Sequence, residues 1–182
     1  MIRPAHLDDA LAIARVNVET WRATYGGIIP QDYLDGLTAA DRVGVFAQRL
    51  ARPEPGVTAL VAETEAGVVG YATAGPERGG APPGYPGEVY ALYVLPEHQG
   101  RGLGRALMLA AAAALAAAGM AGLVIWVAWE NHSARAFYER LGGRLLAERR
   151  QAVVGFEVRE AGYGWQDPEN VLLPADVPHY SG

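Results

Sequence analysis

The sequence contains no cysteine and no lysine, and each absence excludes a class of chemistry. Without cysteine the chain forms no disulfide, has no thiolate nucleophile and binds no metal through a cysteine sulfur. Without lysine it forms no Schiff base and lacks the phosphate-binding lysine of Walker-type loops. All 15 basic residues are therefore arginines.

Serine and histidine are scarce. Serine occurs only at positions 133 and 181, outside any nucleophile-elbow pattern, so hydrolysis through a serine triad is not expected. The histidines are His6, His98, His132 and His179. Because they lack the spacing of metal ligands, the sequence predicts no metal site.

Length and charge limit the class of protein. With 182 residues, of which 51% are hydrophobic, the chain is long enough for one domain with a full core. The net charge of −5 makes nucleic acid and anionic membranes unexpected partners.

One uncharged segment, Ala106 to Trp129, is long enough for a membrane span. It is rich in alanine, however, and Gly119 and Gly122 divide it, so we interpret it as a buried helix followed by a strand. The N-terminus has no secretory signal pattern, and we expect a cytoplasmic protein.

The chain is organised around one stretch that predicts a strand, a glycine-rich turn and a helix. Apolar and aromatic residues from Glu88 to Leu95 are typical of a buried strand, which Pro96 ends. Arg101-Gly102-Leu103-Gly104-Arg105 precedes a run of alanine and leucine that favours helix. Such a turn points main-chain N–H groups and the positive helix end at a ligand, so we expect a pyrophosphate site.

Other elements follow from periodicity and from glycine and proline. N-terminal to the central stretch we predict a strand at Met1–Arg3, helices at Leu7–Tyr25, Tyr33–Leu37 and Ala39–Leu50 (capped by Thr38), strands at Val57–Ala62 and Val68–Ala74, and a mobile loop at Gly75–Gly87. C-terminal to it we predict a strand at Leu123–Ala128, a helix at Asn131–Gly143, an antiparallel pair at Arg144–Glu148 and Val153–Arg159, and an extended or irregular tail from Gly162.

The predicted helix that follows the strand at Leu123–Ala128 carries polar residues at helical spacing. Asn131, Ala134 and Tyr138 are spaced by three and four residues and therefore share one helical face. A small side chain between two polar ones leaves room for an extended ligand along that face.

Together these segments resemble the GNAT (Gcn5-related) superfamily of N-acetyltransferases. The resemblance rests on the strand Leu92-Tyr93-Val94, the loop Gln99-Gly100-Arg101-Gly102-Leu103-Gly104 and the helix from Asn131 to Tyr138, and it extends over about Met1 to Arg159. It implies an α/β (α+β) fold whose mixed, mostly antiparallel sheet is splayed between its fourth and fifth strands, with helices on both faces. It also implies an acetyltransferase domain over 1–160 and an extension over 161–182 that packs on the domain or on a partner.

The resemblance implies acetyl-CoA as co-substrate and no metal. The pantetheine arm would bond to the main chain near Leu92 and Val94, and the pyrophosphate would lie at the loop and the helix start. The residues implied to bind acetyl-CoA are Leu92, Tyr93, Val94, Gln99, Gly100, Arg101, Gly102, Leu103, Gly104, Arg105, Asn131, Ala134 and Tyr138.

The resemblance also implies acetyl transfer to a primary amine of a small molecule or a peptide. Tyr138 matches a tyrosine that protonates the departing thiolate, and Glu88 holds the position of a catalytic glutamate that accepts the amine proton. Aromatic residues are candidates for lining the acceptor pocket, namely Trp21, Tyr25, Tyr33 and Tyr90.

Alternatives remain open at this stage. Asn131 is equally suited to capping its helix, Tyr138 to packing in the core and Glu88 to ending a strand. The fold also suits a non-catalytic acyl-CoA-binding module. A dinucleotide-binding protein is disfavoured because Arg105 occupies the position of the third glycine in the G-x-G-x-x-G pattern of dinucleotide-binding (Rossmann) proteins. The sequence identifies neither the acceptor nor the oligomeric state, although dimers are common in the resembled family.

Overall fold

The structure is a computed structural model that describes residues 1–167 of the chain. Its strands are β1 (Ile2–Pro4), β2 (Thr58–Thr64), β3 (Gly67–Pro76), β4 (Gly87–Val94), β5 (Leu123–Ala128), β6 (Arg144–Val153) and β7 (Phe156–Trp165). Its α-helices are α1 (Ala10–Thr24), α2 (Gln31–Gly36), α3 (Ala39–Ala51), α4 (Leu103–Ala117) and α5 (His132–Arg140). Short 3₁₀ turns at Leu7–Asp9 and Pro96–His98 precede α1 and follow β4.

The seven strands form one sheet in the order β1-β2-β3-β4-β5-β7-β6. All neighbours are antiparallel except β4 and β5, which are parallel. The pairing of these two strands begins with Gly87 opposite Leu123 and ends with Val89 opposite Ile125. Beyond these residues the strands separate. The predicted mixed sheet, splayed between its fourth and fifth strands, is confirmed.

Helices cover both faces of the sheet, because each strand alternates its side chains between two cores. One core joins α4 and α5 to residues such as Leu60 and Val89. The other joins α1 and α3 to residues such as Val61 and Val69. The predicted helix cap is also present, since the Thr38 hydroxyl accepts a hydrogen bond from the Asp41 N–H at 3.2 Å.

The segment from Ala106 to Trp129 comprises most of α4, a turn and β5, as the sequence predicts. The buried residues of α4 recur every three or four positions and lie against the sheet: Leu107, Met108, Ala111, Ala112 and Leu115. Among residues 1–167, no helix is both long enough and apolar enough to cross a membrane.

The closing antiparallel pair is longer than the sequence predicts, and of the two alternatives for the tail from Gly162, extended or irregular, residues 162–165 are extended, as part of a strand. These residues belong to β7, which crosses the predicted boundary at 160. Gly162 is required there because a Cβ would lie 2.8 Å from the Trp126 ring. Trp165 is buried, and its indole N–H donates to the Leu141 carbonyl at 2.8 Å. The rest of the predicted extension, residues 168–182, lies outside the described residues.

Candidate functional site

The gap between β4 and β5 exposes main-chain groups of β4. The Leu95 N–H donates to the Val69 carbonyl of β3 at 2.9 Å. Because main-chain groups alternate in direction along an antiparallel strand, those of Leu92 and Val94 face away from β3 and into the gap. The Val94 carbonyl there accepts a hydrogen bond from the Gln99 side-chain amide at 2.9 Å. The remaining main-chain groups of these two residues are available to a ligand.

A cavity of about 720 Å³ occupies this gap. Its walls come from α1, β4, the turn before α4, β5 and α5. Cavities of roughly 300 to 1,000 Å³ are typical of small-molecule and cofactor sites. We call this cavity the cleft.

The glycine-rich turn forms one end of the cleft. Gly100 and Gly102 have φ values of +72° and +81°, and a Cβ at either position would meet open space. No side chain caps α4, and the N–H groups in the first turn of a helix have no partner within it. Arg105 lies in that first turn and lines the cleft. This combination of free N–H groups, a positive helix end and an arginine suits an anion.

The opposite wall of the cleft includes one face of α5. Asn131, Ala134 and Tyr138 all line the cleft. The Asn131 side-chain oxygen accepts a hydrogen bond from the Ala134 N–H at 3.0 Å, so Asn131 caps α5. Its side-chain NH₂ makes no hydrogen bond within residues 1–167 and is available to a ligand.

Tyr138 is 5% exposed, and its ring packs edge-on against Phe137 and Trp165. Its hydroxyl has no hydrogen-bond partner in the described part of the chain. Burial raises the pKa of this hydroxyl above the usual tyrosine value, and the nearby Tyr93 hydroxyl raises it further. Tyr138 is therefore protonated at neutral pH, and it lines the cleft as a weak acid.

Glu88 does not line the cleft. It lies in a smaller adjacent cavity of about 310 Å³, which we call the polar cavity, lined by Arg78, Gly79, Glu88, Arg149, Gln151 and Glu160. Glu88 is 2% exposed and accepts hydrogen bonds from the Arg78 Nη2 at 2.6 Å and the Arg78 main-chain N–H at 3.0 Å. Glu160 is also buried and accepts one from the Arg149 Nε at 2.8 Å.

Two aromatic rings connect the cleft with the polar cavity. Tyr90 and Trp126 directly follow the last paired residues of β4 and β5, and both line the cleft. The guanidinium carbon of Arg78 lies 3.8 Å from the centre of the Tyr90 ring. That of Arg149 lies 4.0 Å from the centre of the Trp126 ring. The two cavities therefore adjoin where the strands separate.

Most of the residues predicted to bind acetyl-CoA line the cleft, and two do not. Those predicted to bind acetyl-CoA that line the cleft are Leu92, Tyr93, Val94, Gln99, Gly100, Gly102, Gly104, Arg105, Asn131, Ala134 and Tyr138. Arg101 is exposed on the turn, and Leu103 packs against the cores on both faces of the sheet.

Of the four aromatic residues predicted to line the acceptor pocket, two line the cleft and two do not. Tyr25 and Tyr90 line the cleft. Trp21 instead packs in a small core beneath α1, and Tyr33 packs edge-on against Phe156 at 5.6 Å between ring centres.

Several lining residues were missed from the sequence. In the cleft they include Thr20, Thr24, Trp126, Glu130, His132, Phe137 and Arg140. In the polar cavity they are Arg78, Gly79, Arg149, Gln151 and Glu160. His132 and Phe137 belong to the helix that carries Asn131, Ala134 and Tyr138, so the pattern of that helix could have indicated them. Arg149 and Glu160 offered none, because they meet only through the pairing of β6 with β7.

Comparisons with known sequences identify the family. Residues 19–143 match the model of the acetyltransferase (GNAT) family. The uncharacterized N-acetyltransferase YuaI of Bacillus subtilis (strain 168) is 38% identical over 167 residues, which cover 91% of this chain and 92% of YuaI. A mycothiol acetyltransferase of Kocuria rhizophila is 50% identical over 56 residues, which cover 31% of this chain and 18% of that protein.

Solved structures share the fold. The structure of yncA from Salmonella typhimurium with acetyl-CoA has a TM-score of 0.67 and 24% identity, and the match covers 91% of this chain and 92% of yncA. The PaiA N-acetyltransferase from Thermoplasma acidophilum with coenzyme A has a TM-score of 0.66 and 18% identity, and the match covers 88% and 96% of the two chains. The match to the family model and the identity to YuaI show that the chain belongs to the GNAT family of acetyltransferases.

Proposed function

We propose that this protein is an N-acetyltransferase that transfers the acetyl group of acetyl-CoA directly to a primary amine of a small molecule or a peptide. The observation that carries the proposal is the gap between β4 and β5. Main-chain groups of Leu92 and Val94 face this gap, with a helix N-terminus at one end and Tyr138 in its wall. An amide-containing arm, a pyrophosphate and a leaving thiolate each have a matching group there.

The residues in the cleft fit acetyl-CoA, which supplies an activated thioester. The main-chain groups of Leu92 and Val94 would bond to the pantetheine amides. The first turn of α4, with Gly100 and Gly102, would hold the pyrophosphate, and Arg105 would add a positive charge. The Asn131 side-chain NH₂ would donate to the pantetheine arm.

The acceptor must lose a proton before it attacks the thioester. A primary amine with a pKa of about 10.4 is neutral at pH 7 in roughly one molecule in a few thousand, a handicap of about 4 to 5 kcal/mol. Glu88 is the proposed proton acceptor, acting directly or through a water molecule. Its support is its carboxylate, buried in the polar cavity beside the opening of the two strands.

Two further groups act on the charges that develop during transfer. The main-chain N–H of Val94 faces the gap and would stabilise the negative charge on the thioester oxygen. Tyr138 would donate its proton to the departing thiolate, since its hydroxyl is protonated and lies in the cleft wall.

The test is calorimetry with coenzyme A, followed by a screen of free amines with acetyl-CoA in which thiol release is measured. Binding of coenzyme A, with thiol release only when an amine is present, is the expected result. Binding without transfer to any amine would favour a non-catalytic acyl-CoA-binding module. Absence of binding to coenzyme A would overturn both, and a parallel titration with NAD tests a dinucleotide-binding protein.

A further inference from the structure

The polar cavity contains two buried carboxylates, but both already have cationic partners. Glu88 accepts a bond on each oxygen from Arg78, and Glu160 accepts one from Arg149. Charge-assisted bonds of this kind are strong, so the two carboxylates hold both arginines in place, while the Oε1 of Glu160 has no partner among residues 1–167. The protein itself therefore neutralises the negative charges of this cavity.

The arginines, in contrast, keep unused donors. The Nε and Nη1 of Arg78 and the Nη2 of Arg149 make no hydrogen bond to any of residues 1–167. The side chain of Gln151, which also lines the cavity, makes none within the same residues. The polar cavity thus offers N–H groups from three side chains to a ligand that accepts hydrogen bonds.

Both guanidinium groups are held in place before any ligand arrives. Arg78 stacks on Tyr90 and Arg149 on Trp126. The Arg149 Nη1 also donates to the Gly79 carbonyl at 2.9 Å. Stacked and bonded arginines lose little further conformational entropy on binding, and their unused N–H groups can donate to a carboxylate.

From these contacts we propose that the polar cavity binds a carboxylate carried by the acceptor, so that the substrates of this enzyme are free amino acids or close analogues. The inference rests on the proposed acetyl transfer. In an α-amino acid the amine and the carboxylate are attached to one carbon, so both groups fit a cavity of about 310 Å³. The carboxylate lies between Arg78 and Arg149, and the ammonium group lies near Glu88 and Glu160. The Oε1 of Glu160 has no partner in the described part of the chain and can accept from that ammonium.

The test compares each L-amino acid with its amide, which keeps the side chain and removes the negative charge; because the amide also has a lower amine pKa, the rates are compared per neutral amine. Acetylation is measured with the full-length protein and saturating acetyl-CoA. For the preferred side chain, kcat/KM for the acid is expected to exceed that for the amide by about tenfold to a hundredfold, the effect of a charged hydrogen bond.

Variants of the two arginines test whether these side chains cause the preference for the acid over the amide. Arg149→Lys keeps a cation for Glu160 but removes the guanidinium nitrogen that remains for the ligand, so the ratio of acid to amide is expected to fall. Arg78→Lys, on a side chain that is 57% exposed, is expected to do the same without disturbing the core. Arg150→Lys is the matched control, because Arg150 is the next residue of β6, is 72% exposed and pairs with Glu157. The ratio is expected to stay unchanged in this control.

The outcomes separate the two proposals. Transfer to no amine overturns the acetyl transfer itself. Equal rates for acids and amides, or a ratio that Arg150→Lys changes as much as Arg149→Lys does, overturn the carboxylate site alone. Faster transfer to diamines than to acids would show that a second cation, and not a carboxylate, lies between Arg78 and Arg149, and that also overturns it.

Discussion

Val89 and Ile125 are the last paired residues of two parallel strands, and the functional features of the molecule surround the point where that pairing stops. Beyond it, β4 remains bonded to β3 and β5 to β7. The main-chain groups on the inner edges have no strand partner there, and a buried polar main-chain group without a partner is costly. An extended ligand with its own amides is therefore the natural partner of this gap.

The glycine turn allows a matched pair of variants. Gly102 and Gly27 have φ values of +81° and +80°, and a Cβ at either position would meet open space. Gly102→Ala and Gly27→Ala are each expected to lower the free energy of unfolding by about 1 kcal/mol, because of the left-handed conformation. Only Gly102→Ala places a methyl group at the cleft, so it alone is expected to weaken coenzyme A binding, by tenfold or more in calorimetry. Equal affinity in both variants would place the pyrophosphate elsewhere.

Tyr138→Phe tests proton donation to the thiolate. The ring packing stays, so coenzyme A affinity is expected to be unchanged while kcat falls by about a hundredfold, as for loss of a general acid. Tyr33→Phe is the control, since Tyr33 lies outside the cleft. Because burial raises the pKa of Tyr138, its ionisation is expected to cause no loss of rate below about pH 10. Full activity of the phenylalanine variant would leave Tyr138 with a packing role only.

Asn131 combines two roles that substitutions can separate. Asn131→Ala removes the cap of α5 and is expected to cost about 1 kcal/mol of stability, with weaker coenzyme A binding. Asn131→Ser keeps a capping oxygen but has no side-chain NH₂. We expect it to restore the stability in thermal unfolding and not the affinity in calorimetry. Recovery of both would mean that Asn131 only caps the helix.

The stretch from Glu88 to Ala117 was predictable because its signals are local. Strand composition, Pro96, the glycines and the alanine run each act within a few residues, and the structure has β4, the turn and α4 in that order. The arrangement of Asn131, Ala134 and Tyr138 on one face followed from helical spacing alone.

The polar cavity was not predictable because its contacts are distant in sequence. Arg149 meets Gly79 across 70 positions and meets Glu160 through strand pairing. Gly162 was predicted to begin an extended or irregular tail, whereas it lies inside the closing strand and provides room for the Trp126 ring. In both cases tertiary packing decides the role of a residue whose neighbours in sequence give no sign of it.

Glu88→Gln tests the proposed base. At neutral pH kcat/KM is expected to fall by about a hundredfold. The difference in kcat/KM between the variant and the natural protein is expected to narrow as the pH approaches the pKa of the amine, because the acceptor is then already neutral when it binds. Glu148→Gln is the control, since Glu148 forms an exposed pair with Arg159. A deficit that is the same at every pH would point to a structural role of the pair between Glu88 and Arg78.

Acidification is expected to weaken the attachment of β1 to the rest of the domain. Arg3 donates to the Asp9 carboxylate at 2.7 and 2.9 Å and to Glu63 of β2 at 2.8 Å. The hydrogen bonds from Arg3 are the main cause that lowers the pKa of Asp9 below its usual value. A carboxyl whose pKa is lower in the folded state contributes its full stability above the unfolded pKa of about 3.9 and loses it as the pH falls through the folded value.

Asp9→Asn is therefore expected to lower the free energy of unfolding by a constant amount above about pH 5 and by a shrinking amount below about pH 4. The asparagine oxygen can still accept the hydrogen bond that the His6 N–H donates to Asp9 at 2.8 Å, but its NH₂ replaces one of the two oxygens that accept from Arg3, so the change removes the charge together with one Arg3 hydrogen bond. Asp8→Asn is the matched control, because Asp8 is exposed and forms no ion pair among residues 1–167. Denaturant unfolding at several pH values measures both variants. A difference between Asp9→Asn and the natural protein that persists unchanged at pH 2 would contradict the role given to Arg3, because a protonated Asp9 and an asparagine are then equivalent partners.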